Sequence, residues 1–223
     1  MSALLEIACF DLSSALLAAK SGADRIEFCK DYTSGGLTPA LEDFQSLRKA
    51  TDIPIFVMLR ENPDFNLDEG DMEVLMARME RFRLAGADGF VFGFLSVAGD
   101  LAPFPNRRLI DAANRLPCTL HRAFDRVADA ATALQQAENW GFSYILSSGG
   151  AKTALEGAAQ LVKWQSAVTT VQFMAGGGIR SENLGQLLQQ APLSWYHSAA
   201  LKPGSLEADA AEIKRLKELL EKA

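Results

Sequence analysis

Cysteine is scarce: Cys9, Cys29 and Cys118 are the only three, an odd and widely spaced set with no C-x-x-C pair. That excludes a disulfide framework and fits a reducing compartment. Taken singly, each reads as a small buried apolar residue. No run of about 18 uncharged apolar residues occurs, so no membrane-spanning helix is available. The opening MSALLEIACFD has no basic leader, and Glu6 and Asp11 interrupt its apolar run. A cytoplasmic protein is therefore expected rather than a secreted one. Basic clusters are missing too: Arg107-Arg108 is only a pair, and the formal net charge is −6. Nucleic-acid backbones are held by basic faces, so a nucleic-acid partner is excluded. No linker or low-complexity segment divides the chain.

What the sequence does hold is one repeated grammar: a short apolar strand, a polar turn, an amphipathic helix, then glycine and the next strand. Its clearest echoes are GADRIEF from Gly22, GADGFVF from Gly86 and GFSYILS from Gly141. Glycine suits the left-handed position that closes a helix, and the run after it reads as a buried parallel strand. Strands are expected near 4–8, 24–28, 54–59, 88–92, 117–121, 143–147, 171–175 and 193–197. Helices are expected near 11–21, 39–50, 69–85, 104–115, 128–139, 153–167 and 181–190, with a last one over about 206–222. Thr38-Pro39 reads as an N-cap with proline at the first helical position, and Ser181 as the N-cap of the seventh helix. Eight unbroken alternations favour a single α/β domain over residues 1–223, a (β/α)8 TIM barrel. An open doubly wound sheet is the alternative topology. At 223 residues it would be a trimmed version of a fold that usually needs about 250.

In a parallel barrel, strand side chains alternate between the helix layer and the interior. The apolar set faces the helices: Leu5 and Ile7, Ile26 and Phe28, Val57 and Leu59, Cys118 and Leu120. That sends Glu6, Arg25, Glu27, Cys29, Met58, Arg60, Thr119 and His121 inward, with His197 joining them from the eighth strand. Glu6, Glu27, Arg60, His121 and His197 lie late in their strands, at the carboxyl face where sites form in this fold. Burying such groups together is costly unless they pair or meet a ligand. These five are the candidate catalytic residues.

Gly176, Gly177 and Gly178 follow the seventh strand and precede a helix. Backbone amides of such a turn can hold an anion, with Ser198 adding a hydroxyl after the eighth strand. A tight turn that needs positive φ would explain the glycines equally well.

The segments LLEIACF, GADRIEFC, SGGLTP, IPIFVMLR, GADGFVFG, CTLHRAFD, ILSSGG, ALEG, MAGGGIRSENL and WYHSA occur in that order from Leu4 to Ala199. Together they resemble the CutC family, named for copper homeostasis. The resemblance implies a cytoplasmic barrel with a role in copper homeostasis, copper(I) as its ligand, and a homo-oligomer, dimer favoured. Copper(I) prefers thiolates and thioethers, which points to Cys29 and Met58. The family's E-[IV]-C pattern is broken in the first strand, where Glu6-Ile7-Ala8 is followed by Cys9. A one-residue shift reverses a strand side chain, so Cys9 and Cys29 are expected on opposite sides of the wall. The family's R-P-R-x-G-D-F becomes Arg60-Glu61-Asn62-Pro63-Asp64-Phe65, losing an arginine and a glycine and weakening any anion grip there. Two functions follow. One is copper(I) binding without turnover. The other is an enzyme acting on a small phosphorylated or carboxylated metabolite. In it Glu6 or Glu27 is the base and His121 the acid or polarising group, and Arg60 with the glycine turn holds the anion.

Overall fold

The computed structural model describes residues 3–67 and 70–222. Its hydrophobic runs form β1 (Leu4–Cys9), β2 (Arg25–Phe28), β3 (Ile55–Met58), β4 (Gly89–Phe92), β5 (Cys118–Leu120), β6 (Tyr144–Ser147), β7 (Gln172–Gly176) and β8 (Trp195–Ser198). Between and after them lie α1 (Leu12–Lys20), α2 (Leu41–Ala50), α3 (Asp71–Leu84), α4 (Pro103–Ala112), α5 (Ala130–Trp140), α6 (Ala158–Ser166), α7 (Ser181–Gln190) and α8 (Ala210–Glu221). Neighbouring strands are parallel, and β8 pairs with β1 to close the barrel. Closure rules out the open sheet. Among the described residues no helix is long and apolar enough to cross a membrane.

The alternation of side chains follows the expected parity. Leu5, Ile7, Ile26, Phe28, Val57 and Leu120 pack with the helices in one large core. Inside the wall, Cys29, Phe56, Met58 and Val91 form a second cluster, and Leu146, Met174 and Trp195 a third. Cys9 and Cys118 belong to the outer core and Cys29 to the inner one. The thiols are thus divided by the barrel wall.

Several local expectations are corrected. Helix α2 starts at Leu41 with Ala40 as its N-cap, because Thr38 is engaged elsewhere. Its hydroxyl accepts the Arg60 N–H at 2.9 Å and donates to the Arg60 carbonyl at 3.1 Å, tying the loop after β2 to the end of β3. Ser181 is the first residue of α7, not its cap. Its own N–H and hydroxyl are met from α8, whose Glu212 carboxylate accepts each at 2.8 Å, while the Asn183 side chain accepts the Arg180 N–H at 3.0 Å. Helix α6 begins at Ala158 rather than near 153. The loop before it brings Gly157 so close to Gly149 that a Cβ on Gly149, at φ +74°, would lie 2.3 Å from the Gly157 carbonyl oxygen. The 3-10 turn at Arg122–Arg126 was not foreseen. The expected start of the third helix at 69 lies outside the described residues.

Candidate active site

Register builds the site. Glu6 of β1 is the lateral partner of Arg25 on β2 and of His197 on β8, so three ionisable side chains enter the barrel at one level. The Arg25 Nε donates to Glu6 Oε2 at 2.5 Å, and His197 Nδ1 lies 2.7 Å from Glu6 Oε1. Both carboxylate oxygens are engaged. The Arg25 guanidinium is itself boxed by the rings of Phe56, Tyr144 and Trp195, with centroids 4.1, 4.4 and 4.0 Å from its Cζ. Such faces favour a desolvated cation. Burial alone would raise the Glu6 carboxyl, but the Arg25 charge and the His197 hydrogen bond outweigh it and hold it lowered. His197 behaves in the converse way: burial opposes its charge, yet Glu27 and Glu6 raise its pKa.

Glu27 stands one layer on, paired laterally with Ala8 and Phe56. Its Oε2 is buried without a hydrogen-bond partner. Burial pushes its carboxyl up to about 7; the His197 charge opposes this and the Glu6 charge adds to it. Ligand-type atoms of Glu6, Glu27 and His197 all lie within 4.8 Å of one another.

His121, past the end of β5, is the second group left open. Its Nδ1 accepts the Ala123 N–H at 3.2 Å. A backbone N–H only donates, so the ring proton belongs on Nε2. That Nε2 is buried with no partner. Burial and the nearby Arg60 charge lower the His121 pKa to about 3, so the imidazole is neutral. Glu27, His121, Arg60, His197 and Met58 all line one cavity of about 470 Å³ at the carboxyl ends of the strands.

The rim holds its own bonds. Arg60 donates to the carbonyls of Ser34, Gly36, Pro63 and Asp64, so four of its N–H groups bind backbone, and Phe65 covers its plane at 4.5 Å. It fastens the loops after β2 and β3 together. Asp125 receives Arg122 Nε at 2.8 Å, the Ser147 hydroxyl at 2.5 Å and the Ser148 N–H at 3.1 Å. Of the proposed anion turn, Gly176 is the last residue of β7, not part of the loop. A Cβ there would lie 2.4 Å from Leu146 Cδ1 and 3.3 Å from His197 Cβ. Gly177 and Gly178 form the turn at φ +114° and +71° and line the cavity beside Arg122. The Ser198 hydroxyl is occupied, donating to the Ile179 carbonyl at 2.7 Å and accepting the Ala200 N–H at 3.0 Å.

The CutC family profile matches residues 3–202. The chain belongs to the CutC family. The copper homeostasis protein cutC homologs of Caenorhabditis elegans and Homo sapiens are 37% and 36% identical to it over 199 residues. Each alignment covers 88% of this chain, with 80% and 73% of the relatives. A CutC protein of known structure from Streptococcus agalactiae has a TM-score of 0.82 at 22% identity, covering 89% of this chain and 99% of that one. Phosphoribosylanthranilate isomerase from Thermotoga maritima reaches 0.67 at 13% identity, covering 99% and 100%. At these identities the structural likeness shows the barrel alone.

Within this CutC chain the soft donors are few. Cys29 and Met58 are neighbours: a Cβ on Gly36 would lie 3.2 Å from Met58 Cε and 3.5 Å from Cys29 Sγ. The Cys29 thiol donates to the Cys9 carbonyl at 3.3 Å, and burial raises it well above the usual thiol range. Two members of the site escaped the sequence reading. Arg25 has inward parity on the same strand as Glu27, but its pairing with Glu6 follows from the register between β1 and β2. Asp125 sits inside the HRAFD segment, an acid four residues after His121, and only the 3-10 turn brings it to Ser147 and Ser148.

Proposed function

We propose that the chain is an enzyme performing acid–base chemistry on a small polar metabolite in the barrel mouth, with Glu27 as the group that takes up and returns the proton. The observation that carries this reading is Glu27 itself: a fully buried carboxyl, facing the cavity, with an unpartnered oxygen and a pKa pushed to about 7. Groups matched to neutral pH are what general acid–base catalysis requires. Glu6, with both oxygens engaged by Arg25 and His197, is a positioning residue that, together with Glu27, raises the pKa of His197. Arg60 holds the cavity wall, and the Gly177–Gly178 turn with Arg122 receives any anionic end of the substrate.

Copper homeostasis, the role printed for the relatives, enters as the physiological setting, with a cytoplasmic location and a dimer as companion proposals. A copper(I) site at Cys29 and Met58 is the second reading, supported by their adjacency. It supplies one protonated, hydrogen-bonded thiol and one thioether, a poor set for a soft ion. The Glu6, Glu27 and His197 set is hard in character, and its central carboxylate is already bound on both oxygens. Neither set fits copper(I).

The test is turnover of pooled polar metabolites followed by mass spectrometry. Wild type should transform at least one compound. Its rate should rise with pH through about 7 as the Glu27 carboxylate forms, and Glu27→Gln should lower it by about 100-fold or more. Transformation at an undiminished rate in Glu27→Gln, or no transformation at all, would contradict the proposal.

A further inference from the structure

Two buried polar groups of the cavity have no partner among the described residues, and they differ in kind. His121 offers a single N–H. Its tautomer is fixed by the Ala123 N–H at 3.2 Å on the opposite ring nitrogen, so Nε2 can only donate. Glu27 offers a carboxyl oxygen. Unpaired buried polar groups cost free energy, so a ligand that fits must bring an acceptor to His121 and an exchangeable proton to Glu27. Phe65 links the first of these to Arg60: its ring lies 5.1 Å from the His121 ring and 4.5 Å from the Arg60 Cζ. The guanidinium donates to four backbone carbonyls and faces no carboxylate within salt-bridge distance among the described residues. Asp64 offsets part of its charge, yet that charge still reaches His121 and lowers its pKa, so negative charge building on an acceptor oxygen there would be stabilised.

We propose that the cavity takes a small α-hydroxycarbonyl compound, a sugar-like aldehyde or ketone, with its carbonyl oxygen on His121 Nε2–H, its α-hydroxyl donating to Glu27 and its α-hydrogen facing the same carboxylate. This rests on Glu27 acting as the base. In the step, a Glu27 carboxylate oxygen takes the α-proton and the C–H bond breaks. Its electron pair becomes the carbon–carbon double bond, while the carbonyl π pair moves onto oxygen and is held there by the His121 N–H. Return of the proton to the same face of that carbon regenerates the compound and restores the carboxylate. Nothing is oxidised or reduced overall, and no co-reactant is needed. A neutral imidazole suits this role because it donates to the developing oxyanion without surrendering its proton.

The experiment incubates wild type in deuterated water with short-chain aldoses and ketoses, free and phosphorylated, and measures carbon-bound deuterium by mass spectrometry. At least one compound should gain a single deuterium at the α-carbon. His121→Phe, which fills the ring's place without a donor, should slow exchange by about 100-fold. His121→Gln, which keeps an N–H donor, should recover much of it. Should the Phe variant not fold, the wild type decides: the His121 Nε2 nitrogen resonance should shift on saturation with the exchanging compound. An unmoved resonance, wild-type exchange in His121→Phe, or no exchange with any of these compounds would overturn the proposal. Glu27-dependent turnover without carbon-bound exchange sinks this substrate class and leaves the acid–base reading standing. Absence of any Glu27-dependent turnover sinks both.

Discussion

Glu6 and Glu27 enter the barrel from adjacent strands, yet they are chemically different groups. Glu6 has a guanidinium on one oxygen and an imidazole on the other, and its charge is held. Glu27 has an oxygen with no partner, and its charge is suppressed. Pairs of titratable groups pushed apart in this way mark acid–base assignments. The same economy of contacts explains Gly176. It is the lateral partner of His197, and its missing side chain leaves room for that ring and for Leu146. Gly176→Ala should therefore cost about 1–3 kcal/mol through overpacking, read by urea denaturation. It should also lower turnover by tilting His197. An unchanged unfolding midpoint would show that the layer relaxes freely around a methyl group.

At the scale of elements, the sequence is most legible where periodicity governs. Eight strands fall within about two residues of their expected bounds, and inward parity places Glu27, Met58, Arg60, His121 and His197 on the cavity and Glu6 inside the wall without lining it, because a period of two leaves no third choice. Hydrogen-bond partners have no period. Thr38 looks like a cap but binds Arg60, 22 residues away, and Ser198 looks like a free donor but serves Ile179. Loop geometry decides these, and the residue pattern does not carry it. Helix α7 shows the same thing on the outer layer, since Asn183 takes the Arg180 N–H locally while the Ser181 N–H and hydroxyl are met by Glu212 from α8. Glu212 is 2% exposed and also receives Arg215 at 2.8 Å and Arg180 at 3.1 Å. Glu212→Ala should cost about 2 kcal/mol, the combined loss of a cap and of a buried acceptor. Glu212→Gln, which keeps one acceptor oxygen, should cost less. Equal losses in urea denaturation would assign the effect to packing instead.

For the molecule as a whole, an unpartnered carboxyl inside a barrel is a standing cost that depends on pH. The Glu27 carboxyl titrates near 4.5 when unfolded and about 7 when folded. Between those values the unfolded chain has lost the proton and the folded chain keeps it, so stability falls as pH rises. Below about 4.5 both states are protonated and the cost is absent; above about 7 both are ionised and it is constant. The gap amounts to about 3 kcal/mol. Glutamine at this position carries no charge and escapes the effect. The deciding measurement is the unfolding free energy of wild type and Glu27→Gln from about pH 4 to pH 9. The difference should grow by about 3 kcal/mol in favour of the variant across that window, with most of the change below about pH 7. A difference that stays flat would mean that Glu27 titrates as an ordinary carboxylate, and the acid–base site proposed for this barrel would lose its central group.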